Sequence, residues 1–180
     1  MALVDHNDVF FGSTDDGWTF ALLNRPIADG PAIMTSAGFT ERAHRGRTIY
    51  LLPPGTPGTG ARTGDAIGRL LAHTLDIVEL AWTARLAPSP AGQPDAHITV
   101  EGTTVTAIAT GPRAHAILTD VGFTRCGDGT LRLPGDLDEP ERVGRIVRAE
   151  AHLLVEGLHV RVDLGIATPD DLPPAPVPRP

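Results

Sequence analysis

The sequence predicts an α+β fold made of two tandem, pseudo-symmetric β-β-α-β-β-α-β units. Three observations carry that expectation: a segment repeated in order along the chain, turn signals that close hairpins, and helix ends marked by Pro and Gly. Ala32-Ile33-Met34-Thr35-Ser36-Ala37-Gly38-Phe39-Thr40 returns as Ala116-Ile117-Leu118-Thr119-Asp120-Val121-Gly122-Phe123-Thr124. Ile49-Tyr50-Leu51-Leu52-Pro53 is echoed by Leu131-Arg132-Leu133-Pro134, and Ile67-Gly68-Arg69-Leu70-Leu71 by Val143-Gly144-Arg145-Ile146-Val147. One short string matches by chance; several in the same order mark a repeat.

Each unit opens on a hairpin. Val9–Phe11 and Trp18–Leu22 flank Asp16-Gly17, and Ile98–Val100 and Thr103–Ala109 flank Glu101-Gly102. A helix follows, entered at Gly30-Pro31 or Gly111-Pro112. Asp29 and Thr110 are its expected N-caps, and Pro stands in a first turn that needs no N–H. Gly38 and Gly122 stand where a left-handed residue ends the helix, with Phe39 and Phe123 as the apolar contact beyond it. A second hairpin turns at His44-Arg45-Gly46-Arg47 and at Cys126-Gly127-Asp128-Gly129. In the second helix of the first unit Ile67, Leu70, Leu71, Leu75 and Val78 keep the spacing of one face. In the second unit Asp138 and Glu141 form a capping box, Val143, Ile146, Val147, Leu153 and Leu154 line one side, and Gly157 ends the helix. Val78–Trp82 and Leu158–Val162 close the units as strands.

The central β-α-β-β-α-β of each unit resembles the ferredoxin-like arrangement, and the hairpins imply antiparallel sheets with helices on one face. Residues 1–86 form the first repeat, 87–96 the linker with Pro88, Pro90 and Pro94, 97–167 the second repeat, and 168–180 a Pro-rich flexible tail in polyproline II. The two units are expected to pack as one pseudo-symmetric body.

The 180 residues are 41 % apolar, enough for a packed core, and carry a formal net charge of −7. An acidic balance argues against a coat for nucleic acid or anionic membrane. No apolar stretch has membrane-spanning length, and the acidic start is not expected to act as a signal peptide. One cysteine, Cys126, excludes an internal disulfide and suits a reducing cytoplasm. Arg replaces Lys throughout, the mark of a high-GC bacterial genome.

The loudest motif, Pro53-Pro54-Gly55-Thr56-Pro57-Gly58-Thr59-Gly60-Ala61-Arg62-Thr63, resembles the Walker A loop of P-loop ATPases. Ala61 stands where the phosphate-binding Lys belongs, and Pro57 removes a donor from the cradle, so a flexible surface loop is expected. His152 and Glu156 share a helix face near His159, a spacing that serves a surface pair before a metal. Arg125 beside Cys126 favours a thiolate, but no resolving cysteine exists. No serine lies in Gly-x-Ser-x-Gly. No nucleophile, base and oxyanion donors assemble, so we expect no enzyme and no cofactor or metal.

The expected function is a non-catalytic cytoplasmic module binding a protein partner or itself. The alternative is a nucleic-acid regulator using Arg132, Arg142, Arg145, Arg148 and Arg161 on the second unit. The halves differ in one respect. The closing strand and hairpin of the second alternate apolar with polar, whereas Ile49–Leu52 and the strand at Val78 are apolar on both sides. A sheet apolar on both faces needs two covers; the helices supply one, and the second half, the N-terminal segment or another subunit the other. We therefore expect a homodimer through the first unit's sheet, with Trp18, Tyr50, Leu52 and Trp82 at the interface.

Overall fold

The computed structural model describes residues 2–80 and 93–176. It is mixed α+β, with two five-stranded sheets and four α-helices among those residues. Contacts divide the chain into two compact units: residues up to 80 together with 166–176, and residues 93–165.

In the first unit the strands are β1 (Val9–Ser13), β2 (Thr19–Leu23), β3 (Thr40–His44), β4 (Arg47–Leu52) and β5 (Ile77–Leu80). Helix α1 (Gly30–Ser36) follows β2, and α2 (Thr59–Leu70) follows β4. The sheet order is β3-β4-β2-β1-β5. The second unit holds β6 (Ala96–Glu101), β7 (Thr104–Ala109), α3 (Pro112–Asp120), β8 (Thr124–Arg125), β9 (Leu131–Arg132), α4 (Glu139–Val155) and β10 (Val160–Asp163). Its order is β10-β6-β7-β9-β8, the same arrangement strand for strand.

The sheets are not wholly antiparallel. β1 pairs with β5, and β6 with β10, in parallel. A hairpin turns the chain back, but a strand reached through a crossover helix returns in the original direction. The opening hairpin places β1 between β2 and β5, so the closing strand meets β1 and not β2.

Local chemistry explains the helix ends. At α1 the Phe39 N–H donates to Met34 O at 3.1 Å and the Gly38 N–H to Thr35 O at 3.0 Å; Phe123 to Leu118 O and Gly122 to Thr119 O repeat this at α3. These are Schellman ends, and Gly38 and Gly122 hold φ of 95° and 104°. Helix α4 is capped by Asp138, whose carboxylate accepts from Glu141 N–H at 2.8 Å. Two expected caps fail. Asp29 is left-handed with no side-chain bond to the helix, and Gly111, not Thr110, precedes α3. The turn at Arg45 and Gly46 has φ of 44° and 82°, the left-handed pair that closes a two-residue hairpin.

The second helices correspond in a register seven residues from the expected one. Thr63, Ala66 and Leu70 are the buried residues of α2, and Ile146, Ala149 and Leu153 are buried at the same spacing in α4. The residue before each stripe, Arg62 or Arg145, lies against the glycine that ends the first helix, Gly38 or Gly122. Pairing Ile67 with Val143 differs from this register by two helical turns, which preserves the amphipathic pattern. Leu71 and Leu75 therefore lie beyond the stripe, and Leu75 is 86 % exposed.

The first core sits between sheet and helices: Val9, Phe11, Ala21, Tyr50 and Leu52 pack with Ile33, Met34, Ala66 and Leu70. The opposite face, bearing Phe10, Phe20, Leu22, Ile49, Leu51, Val78 and Leu80, is buried as well. Residues 3–5 and 166–176 close over it. A 3-10 turn at Leu3–Asp5 is fixed by Asp5 to Arg47 at 2.5 Å and by Asn24 Nδ2 donating to Val4 O at 2.7 Å. Residues 166–176 form a strap that starts at the β1–β2 turn, where Asp15 and Asp16 N–H donate to Ile166 and Ala167 O. It ends at the β3–β4 turn, where Ala175 N–H donates to Arg45 O at 3.1 Å. The expected free tail is thus not what residues 168–176 form. Pro169–Asp171 make a 3-10 turn, and Leu172 is fully buried. A tail carrying Ile166 and Leu172 has apolar area to bury, and an uncovered apolar sheet face receives it.

Candidate functional site

The two sheets can be matched residue by residue from their registers. Phe10 takes the position of His97, Phe20 that of Thr106, and Leu22 that of Ile108; Leu51, Val78 and Leu80 take those of Arg132, Arg161 and Asp163. The outer face of the first sheet is apolar and closed apart from Arg42, His44 and Arg47 toward its β3 edge. The same face of the second is polar, except for Ile108, which is 61 % exposed. The inward positions Ile98, Val100, Val105, Ala107, Leu131, Val160 and Val162 are buried, so this sheet has one wet face.

On that face the parallel register sets Arg161 beside His97 and Asp163 beside Thr99. Asp163 takes a hydrogen bond from Arg161 Nε at 2.7 Å through one oxygen and contacts His97 Nε2 through the other. This cluster is the main polar feature that sequence reasoning missed. Arg161 and Asp163 share β10, but His97 lies far away in the chain, and only a parallel pairing of β6 with β10 brings it to them.

The five arginines assigned to nucleic acid do not form one surface. Arg132 and Arg161 lie on the outer sheet face, three strands or about 14 Å apart. Arg145 and Arg148 belong to α4, whose apolar stripe serves the unit's core and which contacts β10. Arg145 is paired with Glu141 at 2.6 Å, and Arg148 is exposed. Arg142 is only 4 % exposed, with Nη2 donating to Leu137 O at 2.8 Å and Nε without a partner. A three-residue spacing rotates each arginine by about 60° from the last, so three of them span a third of the helix circumference.

The expected interface residues also separate. Tyr50 and Leu52 are enclosed in the core under the helices and present no surface. Burial, and then the Glu41 carboxylate on the neighbouring strand, push the Tyr50 hydroxyl above its ordinary pKa. Trp18 is half-buried at the β1–β2 turn, and Trp82 lies outside the described residues.

The Gly-rich loop holds itself closed. Thr56 Oγ1 donates to Pro53 O at 2.7 Å and Thr59 Oγ1 to Thr56 O at 2.8 Å. Arg62 turns back on the loop and the end of α1, donating to Pro57 O at 3.2 Å and Ala37 O at 3.4 Å. The bond to Ala37 O satisfies a carbonyl that the end of α1 leaves unpaired. Glu156 pairs with Arg113 and not with His152, and no metal-binding group of three side chains occurs among the described residues. Cys126 is free and half-buried. At the next turn residue but one, hydrogen bonds from the Thr130 hydroxyl and N–H hold the Asp128 carboxyl below its usual pKa.

A cleft of about 410 Å³ opens at the start of α3, lined by Ala109, Gly111, Pro112, His115, Ala116 and Arg125. No helix among the described residues is long and apolar enough to cross a membrane. Comparison with protein-family models, with curated proteins and with solved structures found no match.

Proposed function

We propose that the chain is a non-catalytic binding module acting through protein contacts, with a second copy of itself as partner, and that its two units descend from one duplicated segment. The shared strand order and the repeated Arg-on-Gly contacts support the duplication. The observation that carries the binding role is the outer face of the second sheet. It bears Ile108 exposed among His97, Thr99, Thr106 and Arg132, while the matching face of the first unit is closed. The apolar face that favoured a dimer through the first sheet is covered by residues 3–5 and 166–176, which moves the expected contact to the second.

A face carrying Arg132 and Arg161 together with Asp163 and Glu101 has the mixed charge that a two-fold, self-complementary contact uses. The scattered arginines favour no nucleic-acid surface, and a free cysteine is compatible with a reducing compartment. Sedimentation at micromolar concentration tests the reading. A wild-type dimer that becomes a folded monomer on Ile108→Arg supports it. A wild-type monomer removes self-association, and a dimer indifferent to Ile108→Arg removes this face.

A further inference from the structure

We propose that the outer face of the first sheet is a peptide-binding site that residues 166–176 occupy in cis, and that its ligand class is an extended, Pro-containing peptide with an acidic residue shortly before a buried Leu. The strap crosses the sheet from the β1–β2 turn to the β3–β4 turn, on the face opposite the helices. Its side is fixed by Arg42 and His44, which alternate with Glu41 on β3 and share their side with Ile49. Glu41 instead pairs with Tyr50 on the helix side.

The contacts are those by which one surface reads a peptide. The Arg42 guanidinium donates to the Asp170 carboxylate at 2.8 Å, and His44 Nε2 lies 2.9 Å from Leu172 O. Backbone bonds hold both ends of the strap, at Ile166 and Ala167 and at Ala175. Ile166 and Leu172 are its buried anchors. Pro169, Pro173 and Pro174 restrict the free chain and so reduce the entropy lost on docking. Gly165, with φ of 67°, stands where the strap leaves the second unit. Backbone bonds, one charge-assisted side-chain bond and two apolar anchors compose a separable ligand, and nothing in that set requires the ligand to belong to the same chain.

The second sheet makes the complementary point. Its outer face has Arg132, Arg161 and Asp163 where the first has Leu51, Val78 and Leu80. The apolar character of the first face is therefore not imposed by the strand order, and it matches the apolar anchors Ile166 and Leu172.

Tethering gives the strap a high effective concentration, so a free peptide competes only when the cis anchor is weakened. The experiment uses the full chain and a fluorescent peptide of sequence 166–176. Leu172→Ala in the chain is expected to raise peptide affinity about tenfold over wild type. Adding Arg42→Glu is expected to lower it, and a peptide with Arg in place of Asp170 to recover it. Failure of a folded Leu172→Ala chain to bind the peptide overturns the proposal, as does binding that is equal in wild type and indifferent to Arg42→Glu. If Leu172→Ala loses its cooperative melt, the peptide must restore it; a melt that stays lost also overturns the proposal. None of these outcomes depends on self-association through Ile108.

Discussion

The two sheets share strand order and pairing, yet one is buried on both faces and the other on one. The difference shows that strand order and solvent exposure are separate decisions of the sequence. The helix side is apolar in both units, as the packing of α1 and α2, or α3 and α4, demands. The far side is free to vary. In the first unit it holds Phe10, Phe20, Leu22, Leu51, Val78 and Leu80, and residues 3–5 and 166–176 cover them. In the second it holds His97, Thr106, Ile108, Arg132, Arg161 and Asp163 and has no such obligation.

The largest expected effect comes from exchanging residues between matched positions. Leu51→Arg places an unpaired guanidinium on a closed face and is expected to cost about 4 kcal/mol or more. Arg132→Leu, the reverse exchange at an exposed position, should change stability by no more than about 0.5 kcal/mol. Denaturant melts of both variants measure the contrast. Equal costs would mean that the two faces are equally covered.

Next in size is the pair that ties the N-terminal turn. Arg47 and Asp5 are buried, at 8 % and 3 % side-chain exposure, and Arg47 Nη1 has no partner. Asp5→Ala leaves a buried guanidinium uncompensated and is expected to cost about 3 kcal/mol. Asp5→Ala with Arg47→Met should recover most of it, because the residue left behind is apolar. A double variant as unstable as the single one would put the cost elsewhere in the turn.

These contrasts show what the sequence could and could not reveal. Period-two alternation in Leu158–Asp163 and its absence in Ile49–Leu52 correctly separated a wet sheet from a dry one. Asp-Gly and Gly-Phe punctuation located the turns and Schellman ends, because those depend on backbone conformations that few residues tolerate. That residues 166–176 complete the cover was not legible. Leu172 and Ile166 lie in a Pro-rich stretch without periodicity, and their partner is a face far away in sequence. Charge is the usual sign of exposure, and only the rotation of α4 shows Arg142 buried. The Arg161–Asp163–His97 cluster needed the parallel pairing of β6 and β10, which no local pattern announces.

Smaller, and expected to be alike in both units, is the effect at the helix-ending glycines. Gly38→Ala and Gly122→Ala each force a Cβ into a left-handed residue and against the guanidinium of Arg62 or Arg145. Each should cost about 1–2 kcal/mol. Because Arg62 bonds the end of α1 through Ala37 O while Arg145 is held by Glu141, displacing Arg62 forfeits a helix-end bond. Gly38→Ala is therefore expected to be the costlier of the two, and melts that rank them in reverse would remove that role from Arg62.

The smallest effect has the opposite sign. Thr63 is fully buried in α2, and its hydroxyl has no hydrogen-bond partner. Its counterpart in α4 is Ile146, also fully buried. A buried hydroxyl gives up its water and here gains nothing in return, whereas an aliphatic group in the same place has no such debt. Thr63→Val keeps the branched shape and exchanges the hydroxyl for a methyl, so it requires no repacking of Ala66 or Leu70 beside it. It is expected to stabilise the first unit by about 1 kcal/mol. Ile146→Thr, the converse, should destabilise the second unit by more than that, because it also removes a methylene from a packed site. Urea melts decide the point. A loss of stability in Thr63→Val would mean that the hydroxyl is bonded after all, and that the two helix stripes differ by design and not by an unfilled position.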